Sequence, residues 1–88
     1  MKFLVIWSWT PEHAKEIIER VIKWKPQGNY KVLYPMSMML GRHKAFSVAE
    51  CDDIMELYKD VSPWTDLCTF DIIPIETGTD LVAKFRPT

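Results

Sequence analysis

The sequence predicts an α+β domain whose strands and helices follow one another as β-α-β-β-α-β. Three observations carry this. Four runs rich in Val, Ile, Phe and other β-formers have strand length, and two stretches between them repeat apolar residues at helical spacing. Proline interrupts only the second and the fourth of the four runs. At 88 residues the chain has room for one domain.

Residues 2–9 are almost continuously apolar and form the first strand. Thr10, Pro11 and Glu12 then open a helix. Thr10 can cap the free N–H groups, Pro11 suits the first helical position and Glu12 complements the positive end of the dipole. Ala14, Ile17, Ile18, Val21, Ile22 and Trp24 make its apolar stripe, opposite Glu12, Lys15, Glu16, Glu19, Arg20 and Lys23. Glu16–Arg20 and Glu19–Lys23 are spaced as i,i+4 ion pairs. Pro26, with Gly28 and Asn29 behind it, ends the helix. Residues 30–39 form a second strand that Pro35 places at a sheet edge or at a bulge. Gly41 and Arg42 turn the chain into a third strand at 44–51, and so short a connection makes these two an antiparallel hairpin. Asp52 and Asp53 open the second helix. Asp53 with Glu56 reads as a capping box, and Ile54, Leu57, Tyr58 and Val61 form the buried stripe. Ser62 and Pro63 close it. Residues 67–76 are the fourth strand, again with an edge-marking proline, Pro74.

This order is the ferredoxin-like arrangement, whose usual sheet places strands two and four at the edges. Those are the two strands that carry proline. Residues 1–76 form the domain. Residues 77–88 are expected to be a turn and a short tail, with one helical turn through Leu81, Val82 and Phe85, packing on the domain or on a dimer partner.

Both helices cover one face of such a sheet, so a monomer would show polar residues on the other. Instead the first strand is apolar on both sides, Phe3, Val5 and Trp7 against Leu4 and Ile6. The third sets Phe46 and Val48 against the small Ala45, Ser47 and Ala49, and the fourth sets Phe70 and Ile72 against Ile73 and Ile75. Leaving about five large side chains in water would forfeit roughly 8–15 kcal/mol, at about 1.5–3 kcal/mol each. A second copy in a twofold dimer is the commonest cover. A homodimer joined through this sheet face is therefore expected, against the plainer reading of an exposed apolar sheet on a monomer.

Three segments carry a resemblance: MKFLVIWSWTPEH at the start, HKAFSVAECDD in the middle and SPWTDLCTFDIIPIE near the end. Together they resemble a family of small proteins of unassigned function with an N-terminal Trp-x-Trp and Pro-Glu, a Phe…Glu-x-Asp-Asp run and Trp-x-Asp-Leu…Pro. Such proteins are similar to the dimeric α+β barrel superfamily, in which two ferredoxin-like subunits face their sheets together. That superfamily includes cofactor-independent monooxygenases of aromatic polyketides, haem-degrading monooxygenases, isomerases and stress-responsive proteins. The resemblance implies the dimer and transfers no activity, because one fold hosts many functions.

Composition excludes several classes. With 11 Lys and Arg against 12 Asp and Glu the net charge is −1, which lacks the basic surface of a nucleic-acid binder. The third strand reads AFSVAE, without the basic and aromatic signature of an RNA-recognition module. No Cys-x-x-Cys, Gly-rich phosphate loop, Ser-His-Asp set or metal-ligand cluster is present. The apolar start is too short for a signal peptide or a membrane span, and two cysteines are too few for a disulfide scaffold. A cytoplasmic protein with reduced thiols is expected, with neither nucleic acid nor membrane as partner. Cys51 and Cys68 fall near opposite ends of the sheet, too far apart to bridge.

The candidate ligand pocket is Trp7, His13, Phe46, Val48, Glu50 and Trp64. His13, in the first turn of the first helix, is disfavoured as imidazolium by the dipole and suits a general base; the alternative is an exposed histidine without a role. Glu50 at the end of the third strand could be an acid–base carboxylate tuned by apolar walls, or a strand-end group pairing with Lys44, Arg42 or His43 and holding the dimer. Trp7 and Trp64 are the tryptophans expected in a pocket, and Trp24 is expected in the core. Met36, Met38, Met39 and Met55 read as gap fillers. An axial haem ligand, His13 or His43, is a minor reading, and no cofactor and no metal are expected. The expected function is binding of a small apolar or aromatic ligand beside the sheet. The alternatives are a cofactor-independent monooxygenase or isomerase using His13 and Glu50, and a purely structural or stress-related dimer.

Overall fold

Strands β1 (Lys2–Ser8), β2 (Lys31–Met38), β3 (Lys44–Glu50) and β4 (Thr69–Ile75) form one antiparallel sheet in the order β2-β3-β1-β4. Helix α1 (Ala14–Lys23) joins β1 to β2, α2 (Ile54–Val61) joins β3 to β4, and α3 (Gly78–Phe85) follows β4. The structure, a computed structural model, describes residues 1–86. The α+β class and the ferredoxin-like connectivity are as predicted, with the two proline-bearing strands at the edges. Pro35 falls where the β2–β3 register shifts, between Tyr34 and Ser37, so the missing N–H coincides with an irregularity in the ladder.

Directly opposed residues of neighbouring strands share a face, so the register sorts the side chains. Phe3, Val5 and Trp7 of β1 lie opposite Ala49, Ser47 and Ala45 of β3, and opposite Pro74, Ile72 and Phe70 of β4. The helices cover this face. Leu57 and Val61 of α2 pack with Phe3, Val5 and Ala49, while Ile17 of α1 packs with Trp64 and Cys68. Trp7 and Phe70 touch both clusters and tie them into one core. On the outer face Leu4 and Ile6 lie opposite Val48 and Phe46, and Tyr34 stacks on Phe46 with ring centroids 5.5 Å apart. No helix among the described residues covers it: Leu4, Ile6, Phe46 and Val48 are half-buried and Ile73 is 43% exposed.

Local details differ from the sequence reading. The chain enters α1 through a 3-10 turn at Pro11–His13, and the Thr10 hydroxyl donates to Glu12 (3.0 Å) instead of capping the helix. Of the α1 stripe Ile17 is buried and Val21 and Trp24 half-buried, but Ile18 and Ile22 point outward, because six apolar positions span more arc than one sheet contact can cover. In α2 the inward side is Leu57, Asp60 and Val61, whereas Ile54 and Tyr58 are exposed. Asp53 does cap α2, accepting from the Met55 N–H at 3.0 Å. Glu56 does not close the box; it accepts from the Asn29 N–H (3.3 Å) and pairs with Lys59. Among the described residues neither predicted i,i+4 pair forms, and Arg20 turns from Glu16 to Asp66.

Beyond β4 the single predicted helical turn is the eight-residue α3, started by Thr77, whose hydroxyl accepts from the Asp80 N–H at 3.1 Å. None of its residues is buried. The last two positions of the predicted 77–88 tail lie outside the described residues.

Candidate functional site

The inner face of β3 carries only Ala45, Ser47 and Ala49, so no large side chain rises from this strand toward the helices. The space this leaves is a cavity of about 210 Å³ between the covered face and the helices. Ser47 lines it from β3, Val5 and Trp7 from β1, and Val32 and Met36 from β2. Trp24 and Trp64 face it from the chain after α1 and after α2. For scale, about 150 Å³ of apolar cavity holds one benzene, so there is room for a single ring with a small substituent.

The walls are fixed in place. Trp24 meets Trp64 edge-on (centroids 6.4 Å apart, planes at 77°), and Trp7 lies against Phe70 (6.1 Å, 29°). Arg20 braces Trp64, with its guanidinium carbon 5.5 Å from the ring centre and both terminal nitrogens donating to the Asp66 carboxylate at 2.9 and 3.0 Å. That bidentate bond holds the Asp66 carboxyl below its usual range.

Among the described residues one charged side chain lines the cavity, Asp60 of α2, which is only 6% exposed. Its carboxylate accepts from the backbone N–H groups of Gln27 (2.7 Å) and Gly28 (3.2 Å) and from the Tyr30 hydroxyl. The segment after α1 is thereby clipped to α2. Position 28 must be glycine for this clip: a Cβ there would stand 1.9 Å from the Glu56 carbonyl oxygen, far inside van der Waals contact. Burial, and then the hydrogen bond to Asp60, push the Tyr30 phenol above its usual range, so it stays a donor.

The six predicted pocket residues do not surround one space. Trp7 and Trp64 line the cavity, and Trp24, expected in the core, lines it too. Phe46, Val48 and Glu50 belong to the outer face, because Phe46 pairs with Ile6 and not with Trp7. Glu50 lies opposite Lys2 and Lys31 on the neighbouring strands, while Arg42, His43 and Lys44 are at the other end of β3. His13 lines a separate, polar hollow with Trp9, Asp66 and Cys68, its Nδ1 3.7 Å from a Glu16 oxygen. His13 and Glu50 are at opposite ends of β1, a strand roughly 20 Å long at about 3.4 Å per residue, with Glu50 paired to Lys2 and His13 following Ser8. The Trp9 indole N–H is buried there without a partner. His43 is exposed in the hairpin, and its carbonyl accepts from the Trp9 N–H at 3.0 Å. Among the described residues no three His, Cys, Asp or Glu side chains group to hold a metal ion. Cys51 and Cys68 are buried free thiols, and burial pushes Cys68 up to about 11.

Asp60, Tyr30 and Gly28 escaped the sequence reading. The signal for Asp60 was its place on the apolar side of α2, three residues after Leu57 and directly before Val61.

Fold and cavity define a ferredoxin-like α+β protein with an aromatic chamber under its helices. The chain belongs to the family described as a domain of unknown function, DUF3303, which it matches over residues 1–88. No curated protein matches it significantly. No helix among the described residues is long and apolar enough to cross a membrane.

Proposed function

We propose that the protein binds a small, largely apolar aromatic molecule in the cavity between sheet and helices. The carrying observation is the chamber of about 210 Å³ walled by Trp7, Trp24 and Trp64, in a domain whose interior would otherwise be expected to close-pack. The test is quenching of the tryptophan emission by single-ring aromatic compounds, with Ser47→Leu as the control that fills the chamber from the sheet side. Saturable quenching that Ser47→Leu abolishes while the fold persists supports the reading. Quenching that survives the substitution puts the site elsewhere.

The same reading makes the protein a homodimer of the dimeric α+β barrel kind, with a second copy over Leu4, Ile6, Phe46, Val48 and Ile73. What supports it is the half-exposed apolar outer face and its end, where Glu50 stands between Lys2 and Lys31 and can meet a twofold copy of itself with alternating charge. Sedimentation at micromolar concentration should give twice the chain mass of 10.4 kDa. A lone 10.4 kDa species would overturn it. The monooxygenase or isomerase reading draws no support from His13 or Glu50, since neither lines the chamber.

A further inference from the structure

The chamber is not uniformly apolar, and its one charged group is unbalanced. Asp60 presents an acceptor-only carboxylate, buried among rings, and its three donors are the neutral N–H groups of Gln27 and Gly28 and the Tyr30 hydroxyl. The ion pairs among the described residues join Arg20 to Asp66, Lys59 to Glu56 and His13 to Glu16; none reaches Asp60. A carboxylate has about four lone-pair positions, so three donors leave about one free. A buried charge without a partner of opposite sign is the costly kind, and it is relieved by a cation.

The rings around it favour the same guest. Indole faces attract cations through their quadrupole, most strongly where water is excluded, and Trp7, Trp24 and Trp64 all border the space that Asp60 borders. Trp64 already shows the affinity toward its own chain, with the Arg20 guanidinium 5.5 Å from its centre. Among the described residues no basic side chain lines the chamber, so an anion would meet Asp60 with nothing to offset the repulsion.

We propose that the ligand carries an organic ammonium group, primary or methylated, on a single-ring body, with the cation seated between Asp60 and the tryptophan faces. This rests on the chamber being the binding site and adds the chemical class of what enters it. A free small molecule fits, because the space holds about 210 Å³ and opens to solvent beside the exposed Val32 and Met36.

Three probes share one phenyl body and differ in charge: phenethylammonium, 2-phenylethanol and phenylacetate. Titrated by tryptophan quenching at neutral pH, the ammonium should bind at least tenfold tighter than the alcohol, and phenylacetate weakest. Asp60→Asn should remove that preference, lowering ammonium affinity tenfold or more while alcohol binding changes less than about threefold. If Asp60→Asn does not fold, Tyr30→Phe deletes one donor, frees a lone pair and should raise the ammonium-to-alcohol ratio. An alcohol that binds as tightly as the ammonium, or a preference that ignores both substitutions, overturns the cation while leaving the chamber as a site. Failure of all three probes to quench overturns the chamber itself as the binding site.

Discussion

The two faces of one sheet meet opposite fates in this protein. On the covered face the strands bring Phe3, Val5 and Trp7 beneath two helices, yet β3 contributes only Ala45, Ser47 and Ala49, and a void remains. On the outer face β3 contributes Phe46 and Val48, bulky groups with no helix above them. The large side chains of β3 thus stand where no helix among the described residues covers them, and its small ones where helices do. A period of two guarantees that the faces differ; which face is crowded is decided by β3 alone. The arrangement suits a guest on one side and a second copy on the other.

Breaking the outer face should give the largest effect. Phe46→Arg places a charge amid apolar neighbours and is expected to weaken self-association at least a thousandfold, about 4 kcal/mol, read by sedimentation across a concentration series. The covered face should respond in stability instead. Leu57→Ala is expected to cost about 2–5 kcal/mol in urea unfolding, whereas Ile73→Ala, at a position 43% exposed, should cost under about 1 kcal/mol under conditions where the chain is monomeric. Equal losses would erase the distinction between the faces. Gly28→Ala tests the clip that joins the segment after α1 to Asp60 beside the chamber. Its added methyl meets backbone, so about 3 kcal/mol should be lost, and the quenching response with it. Ser47→Leu sharpens the comparison from the other direction by filling the void, raising stability by about 1 kcal/mol.

A pH dependence also belongs to the covered side. Burial raises Cys68 to about 11 from its ordinary value of 9.0, so the folded state favours the neutral thiol. That contribution is fully present below about pH 9 and is lost as pH rises toward 11. Tyr30, also raised, acts in the same direction at still higher pH. The melting temperature should therefore fall above pH 9, and Cys68→Ala should flatten the first part of the fall. A decline unchanged in that variant would assign it elsewhere.

The fold was legible because its signals are local. Pro35 and Pro74 mark edge strands, Asp53 caps α2, and Gly41, at φ +82°, turns the hairpin. The chamber was half legible. Trp7 and Trp64 were named for it, but Phe46, Val48 and Glu50 were placed with them although strand pairing puts Phe46 beside Ile6. Register is set by pairing between strands some forty residues apart, and one strand's alternation cannot say which of its sides meets which side of another. Asp60 was hidden for a similar reason: its partners, Gln27, Gly28 and Tyr30, come from a loop more than two dozen residues upstream. The length of α3 could have been read from Thr77 and Asp80, a hydroxyl and a carboxylate at cap spacing.

Helix α3 has eight residues and presents Leu81, Val82 and Phe85 outward, the last 78% exposed. Isolated helices shorter than about 12–15 residues are marginal in water, however well capped. Its persistence must then be lent by whatever its greasy stripe comes to rest on, and amide hydrogen exchange across residues 81–85 becomes a gauge of that contact, slow when the stripe is sheltered and fast when it is not.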